Sequence, residues 1–238
     1  IVNETADLVC AYKPNLAFYE ALGLPGFRAL ESTIGHIRKV APRCVIIGDC
    51  KRGDMDSSAK AYVKAMFDVW GFDAATINPW GGSDSIEPWL GAPDRGVFIW
   101  CRGSNPGSAD LQDLAVGADG QGTEPLFLRL ARRSNQWSAK GNVGLVVGAT
   151  VPEQLAAVRE VCPDLPLLIP GVGAQGGDLE SAVVRGVDAA GRLAIINSSR
   201  GIIYASRGED FASAARVAAS NLRNNINGIL QAAGLGWG

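Results

Sequence analysis

The chain has 238 residues, 47% hydrophobic and 19% charged, with 22 Lys plus Arg against 24 Asp plus Glu and a formal charge of −2. This composition excludes a disordered chain, and the near-balance of charge excludes a global basic field for nucleic acid or anionic membrane. The length suits one large α/β domain, a (β/α)8 barrel taking about 250 residues.

In chain order, the first predicted strand is 6–12 (ADLVCAY), ahead of Lys13-Pro14 and the helical LAFYEALG. Strands at 43–50 (RCVIIGDC), 74–78 (AATIN), 96–101 (GVFIWC), 142–148 (NVGLVVG), 166–171 (PLLIPG) and 193–199 (LAIINSS) follow, each succeeded by a segment of helical periodicity. Runs as uniformly apolar as VIIG, GLVVG and LAII belong to a parallel sheet covered on both faces, doubly wound or closed as a barrel. Closure takes eight strands and seven are visible. Since the chain starts at Ile1, an N-terminal segment carrying the first strand is expected ahead of it. No Pro/Gly/Ser-rich linker splits 1–238, so a single domain is expected, with 102–123, polar and Gly-rich, as a functional lid. No apolar run nears the roughly 20 residues of a membrane span, and no charged-then-apolar leader opens the chain. The five cysteines are scattered, as in a reduced, cytoplasmic protein.

Barrel enzymes place their chemistry at the C-terminal ends of strands. There stand Lys13 and then Asp49-Cys50-Lys51. Strand alternation turns Asp49 and Lys51 to one side and Cys50 to the other, and Arg52-Gly53-Asp54 adds a second carboxylate at the same rim. Taken alone, D-x-K-x-x-D also suits a βα turn in which Asp54 caps the next helix and Lys51 reaches solvent. Across the chain, PGVGAQGGD (170–178) follows an apolar strand and opens a helix. Its glycines let backbone N–H groups converge on an anion at the helix N-terminus, and Arg200 in NSSRG offers a planar fork to phosphate. Ser104-Asn105-Pro106-Gly107 reads by itself as a turn. The only histidine, His36, sits on a helix away from every strand end, which removes Ser-His-Asp hydrolysis and His-rich metal sites. The six tryptophans are dispersed and read as core and rim packing rather than a base-stacking platform, and no nucleic acid is expected as a partner.

Four segments, Asp49-Cys-Lys51-Arg-Gly-Asp54, Ser104-Asn-Pro-Gly107, Pro170-Gly-Val-Gly-Ala-Gln175-Gly-Gly and Arg200-Gly-Ile, together resemble the orotidine 5′-monophosphate decarboxylases, in the bacterial branch with a DxKRGD form. The likeness runs from Ile1 to about Tyr204. It implies a (β/α)8 barrel homodimer that converts orotidine 5′-monophosphate to uridine 5′-monophosphate and carbon dioxide without metal or organic cofactor. Carried over, Lys51 is the proton donor, Asp49 lies beside the substrate carboxylate, and Lys13 touches Asp49 and ribose. Asp54 and Ser58 reach the partner's site, Ser104 reads the pyrimidine, Pro170 lines the ring pocket, and Gln175 and Arg200 hold the phosphate. Met55, Ser58 and Ser199 stand where the family usually has Ile, Thr and Gly, and a ribose-binding Asp of the family's first strand has no counterpart. A Mg²⁺-dependent sugar-phosphate lyase of the same suprafamily and a non-catalytic nucleotide-binding barrel are the alternatives.

Overall fold

The apolar runs become parallel strands and the amphipathic segments after them become helices, in a computed structural model that describes residues 1–117, 122–173 and 176–237. The chain forms two compact units, Ile1–Phe98 with Ile203–Ser220 and Ile99–Ile202 with Asn221–Gly238.

The first unit contains α1 (Val2–Thr5), β1 (Ala11–Tyr12), α2 (Leu16–Glu20), α3 (Gly23–Val40), β2 (Val45–Arg52), α4 (Asp56–Lys64), β3 (Ala74–Ile77), α5 (Ser83–Ile86) and the start of β4 (Gly96–Arg102). Its strands run parallel in the order β1-β2-β3. Leu30, Ile34 and Ile37 form a buried stripe on α3, the i, i+4, i+7 spacing of a helix with one apolar face. All four residues of β3 are buried, as a strand covered on both faces requires. Trp89 is buried against the edge of Phe67, with ring centroids 5.7 Å apart.

The second unit holds the end of β4, then α6 (Ala109–Gln112), β5 (Ala115–Val116), β6 (Glu124–Pro125), α7 (Leu126–Trp137), β7 (Val143–Val147), α8 (Pro152–Val161), β8 (Leu167–Pro170), α9 (Leu179–Gly186), β9 (Ala194–Asn197) and α10 (Arg200–Ile203). Helix α11 (Phe211–Ala232) starts in the first unit and ends in the second. Strands β7, β8 and β9 are neighbours in that order and parallel. Val183, Val187 and Leu230 form a core with Leu179, Ile196, Ile226 and Ile229 around it.

The structure corrects the sequence reading in three places. The segment at 6–12 keeps only Ala11–Tyr12 as strand. Ahead of it the chain is helical over Val2–Thr5, where the Thr5 hydroxyl bonds the Ile1 carbonyl at 3.1 Å and the Tyr12 hydroxyl at 2.8 Å. The connection at 102–123 is not plain loop: it carries a 3-10 turn over Pro106–Ser108, helix α6 and strand β5, which pairs antiparallel with β6. Its residues 118–121 lie outside the described residues. Trp80 and Trp237 are 75% and 69% exposed and so lie outside the core. Among the described residues no helix is long and apolar enough to cross a membrane.

Arg159 ties several of these elements together. Its guanidinium donates to the carbonyls of Cys162, Pro163 and Leu165 after α8, of Gly186 at the end of α9, and of Leu193 before β9. Replacing it by leucine keeps the aliphatic stem and removes every donor, so Arg159→Leu should lower unfolding free energy in urea by about 2–3 kcal/mol. A loss under about 0.5 kcal/mol, the usual scale of a surface change, would show that those carbonyls are served equally well by water.

Candidate active site

The ladder between β2 and β3 breaks where the charged residues begin. Ile47 and Gly48 pair with Ala74 and Ala75, and pairing resumes with Arg52 opposite Ile77, so Asp49, Cys50 and Lys51 all face the single residue Thr76. A bulge of this kind re-aims side chains at the cost of ladder hydrogen bonds. Lys51 sits within it at φ 46°, in the left-handed region that residues with a Cβ seldom occupy. Thr76 restores the missing bonds: its Oγ1 accepts the N–H groups of Cys50 and Lys51, each at 3.0 Å.

Asp49 is 7% exposed and fully engaged. Its Oδ2 accepts the Lys13 ammonium at 2.6 Å, while Oδ1 accepts the Lys51 ammonium at 2.6 Å and the Thr76 hydroxyl at 3.0 Å. Lys13 is brought there because the chain after β1 lies beside β2, with Asp49 N–H bonded to the Pro14 carbonyl at 2.9 Å. Burial pushes the Asp49 carboxyl up, but the charges of Lys13 and Lys51 and their hydrogen bonds outweigh it and hold the group below the usual carboxylate range. A depressed native value means that its contribution to stability is in place above about pH 4 and disappears as pH falls through that native value. Sequence reasoning brought Asp49 and Lys51 together by simple alternation. They do meet, by way of a bulge and a left-handed lysine.

Beyond the bulge, Arg52 pairs with Glu20 and lies over the Tyr62 ring at 5.3 Å. A Cβ on Gly53 would stand 2.6 Å from the Asn78 carbonyl oxygen, so this turn requires glycine. Asp54 is exposed, and its carboxylate accepts the Met55 N–H at 2.8 Å. Met55, not Asp54, is the residue at the N-cap of α4, which excludes the helix-capping alternative for Asp54. Ser58 is exposed in the first turn of that helix.

In the second unit, Ser104 follows β4 and its carbonyl accepts the Thr150 hydroxyl at 2.7 Å. Gly148 permits that approach, since a Cβ there would come within 2.6 Å of the Ser104 Cα. Arg102, 3% exposed, anchors the same segment through the Gly103 carbonyl, the Ser108 hydroxyl and, at 2.9 Å, the Asp113 carboxylate. Neither Arg102 nor Thr76 stood out in the sequence, because nothing local marks a strand-end side chain as turned inward. Pro170 closes β8 opposite Asn197. Gly171, Gly173 and Gly176 have φ of 103°, 70° and 84°, the left-handed geometry expected of this loop. Against the expected convergence of N–H groups on an anion, those of Gly173, Gly176 and Gly177 bond carbonyls of their own loop, and Asp178 caps α9, its carboxylate accepting Ser181 N–H at 2.7 Å. Gln175 lies outside the described residues. Arg200 opens α10 and is exposed, and His36 is exposed on α3 and bonded to Asn3 at 2.6 Å.

Comparison with known proteins bears on this arrangement. The family model described as "Orotidine 5′-phosphate decarboxylase / HUMPS family" matches residues 1–216. The orotidine 5′-phosphate decarboxylase of Thermomicrobium roseum is 50% identical over 230 residues, 96% of this chain and 80% of that protein. The corresponding protein of Roseiflexus castenholzii is 51% identical over 233 residues, covering 98% and 83%. Among solved structures, the Leishmania donovani OMP decarboxylase gives a TM-score of 0.84 at 40% identity over 96% of this chain and 84% of its own. The expected α/β-barrel fold class stands on that match. With half its residues shared along nearly its whole length, and the bulged Asp49-Cys50-Lys51 segment inside the matched region, the chain belongs to the orotidine 5′-phosphate decarboxylase / HUMPS family.

Proposed function

We propose that the chain decarboxylates orotidine 5′-monophosphate to uridine 5′-monophosphate as a cytoplasmic enzyme, with Lys51 as the acid. The observation that carries this reading is the line Lys13, Asp49, Lys51, held by two 2.6 Å ion pairs at the end of β2. Two ammonium groups on one carboxylate leave a net positive charge fixed in place. The side chain of Lys51 is 37% exposed against 12% for Lys13 and 8% for Asp49, so Lys51 is the member open to a ligand.

Cleavage of the bond between C6 and the substrate carboxylate releases carbon dioxide and leaves the electron pair on C6. A fixed ammonium stabilises that charge as it develops and then gives C6 its proton, and solvent reprotonates the lysine. Asp49 orients Lys51 and lies beside the departing carboxylate, and Lys13 neutralises Asp49 and meets the ribose. Ser104 reads the pyrimidine, Pro170 lines the ring pocket, and Gln175 and Arg200 hold the phosphate. The reading requires no metal or organic cofactor. Turnover that persists in EDTA supports it, and a strict requirement for added Mg²⁺ would favour a sugar-phosphate lyase instead.

Asp54 and Ser58 are read as serving the partner's site in a homodimer. Both are exposed, and Met55 and Trp80, 51% and 75% exposed, place uncovered apolar surface in the same stretch of chain and in the loop after β3.

Lys51→Ala should lower decarboxylation, followed by substrate absorbance in EDTA, by roughly 10³ or more while uridine 5′-monophosphate still binds; turnover within tenfold of the parent would remove Lys51 as the acid. Mixing inactive Asp54→Ala and Lys51→Ala chains should restore activity through the one hybrid site with both groups intact, and no recovery despite demonstrated subunit exchange would mean that each site is built from one chain. Arg200→Ala should cost the phosphorylated substrate at least about tenfold in kcat/KM, the scale of one charge-assisted contact, and the unphosphorylated nucleoside almost nothing. Equal losses for the two would make Arg200 structural.

A further inference from the structure

We infer that Thr76, on the strand next to the charged residues, is a positioning residue that sets where the Lys51 ammonium stands; the inference rests on Lys51 being the acid. Thr76 is 1% exposed and is the single β3 residue opposite the three bulged residues of β2. It accepts the N–H groups of Cys50 and Lys51, which fills both acceptor positions of a hydroxyl. Its single proton is therefore committed to Asp49 Oδ1, the same oxygen that holds the Lys51 ammonium.

The consequences run through two routes. Through the backbone, the bonds to Cys50 and Lys51 stabilise the bulge and the φ of 46° at Lys51, a conformation that relaxes toward the extended region when nothing holds it. Relaxation would restore ordinary alternation and swing the Lys51 side chain by changing the direction of its Cα–Cβ bond. Through the side chain, the Thr76 proton fixes the rotation of the Asp49 carboxylate, and so the place where Oδ1 receives Lys51. Val or Ile, the usual occupants of a fully buried strand position, would fill the volume and serve neither route. Cys50 adds a check on geometry: its thiol donates to the Thr76 carbonyl at 3.2 Å, so side chain and backbone of this one residue hold three successive residues of β2.

The test compares Thr76→Val, Thr76→Cys and Thr76→Ser with the parent, measuring kcat, KM and the affinity for uridine 5′-monophosphate. Thr76→Val is near-isosteric and loses both functions of the hydroxyl; kcat should fall about ten- to a hundredfold, the equivalent of one hydrogen bond to a charged group, while product affinity changes less than about threefold. Thr76→Ser returns the hydroxyl and should recover most of the turnover. If Thr76→Val does not fold, Thr76→Cys carries the test, its weak thiol donor and acceptor giving an intermediate loss confined to kcat. A parent-like kcat in Thr76→Val or Thr76→Cys, a Ser variant as impaired as Val, or parallel losses in kcat and product affinity would each overturn the inference. Lys51→Ala run beside them separates the two levels: inactive Lys51→Ala with fully active Thr76→Val sinks the positioning role and leaves the acid in place, whereas active Lys51→Ala removes both.

Discussion

A carboxylate taken out of water has to be matched by donors, and the first unit is arranged around that requirement at Asp49. Isolated in an apolar interior the ion would be neutralised by protonation rather than tolerated. Here it receives one ammonium from the chain after β1, one from its own strand and one hydroxyl from β3. The strand order β1-β2-β3 is what brings those three donors within reach, so the topology of the unit and the ionisation of one side chain depend on each other. Such a cluster is intolerant of subtraction. Removing any one partner leaves the others buried and uncompensated, which is more damaging than the net worth of the pair.

The bulge explains how a rigid strand can hold a reactive side chain at an angle that alternation does not allow. Three residues of β2 against one of β3 give Lys51 a left-handed backbone, and the strain is contained because β2 pairs with β1 ahead of the bulge and with β3 on both sides of it. Strain at such a position persists only when its surroundings over-determine it. With Lys51 as the proposed acid the gain is electrostatic: a cation whose place is set before substrate arrives need not reorganise when negative charge develops at carbon.

How much of this was visible beforehand follows from the range of the forces involved. Strand positions and the glycine-rich loop could be read because apolar runs and positive φ are local demands; Gly171, Gly173 and Gly176 could scarcely do otherwise. The meeting of Lys13, Asp49 and Lys51 was legible as a set of strand-end residues, but its cause was not, since a register shift against Thr76 involves a strand some 25 residues away in sequence. The same holds for Arg102, whose partners lie in a segment read as loop. Asp178 is the opposite case. Its place before a helix is a purely local signal, the side-chain cap of an N-terminus, and it closes part of the anion site that the glycines before it suggest.

The division between buried and exposed charge follows the same logic into the rest of the chain. Asp49 and Lys13 in the first unit and Arg102 in the second are covered and held by ion pairs. Lys51 is half-covered, anchored at one side and open at the other, while Asp54, Ser58 and Arg200 are exposed, which suits the ligand and subunit contacts proposed for them. In a chain of net charge −2 no general field draws an anion in. Asp178 already caps α9, and the N–H groups of Gly173, Gly176 and Gly177 are taken by carbonyls of their own loop, so on the proposed function recognition of a phosphate falls mainly to the exposed guanidinium of Arg200. Under that reading anion binding is confined to a few atoms, and its specificity is set by their geometry rather than by charge in bulk.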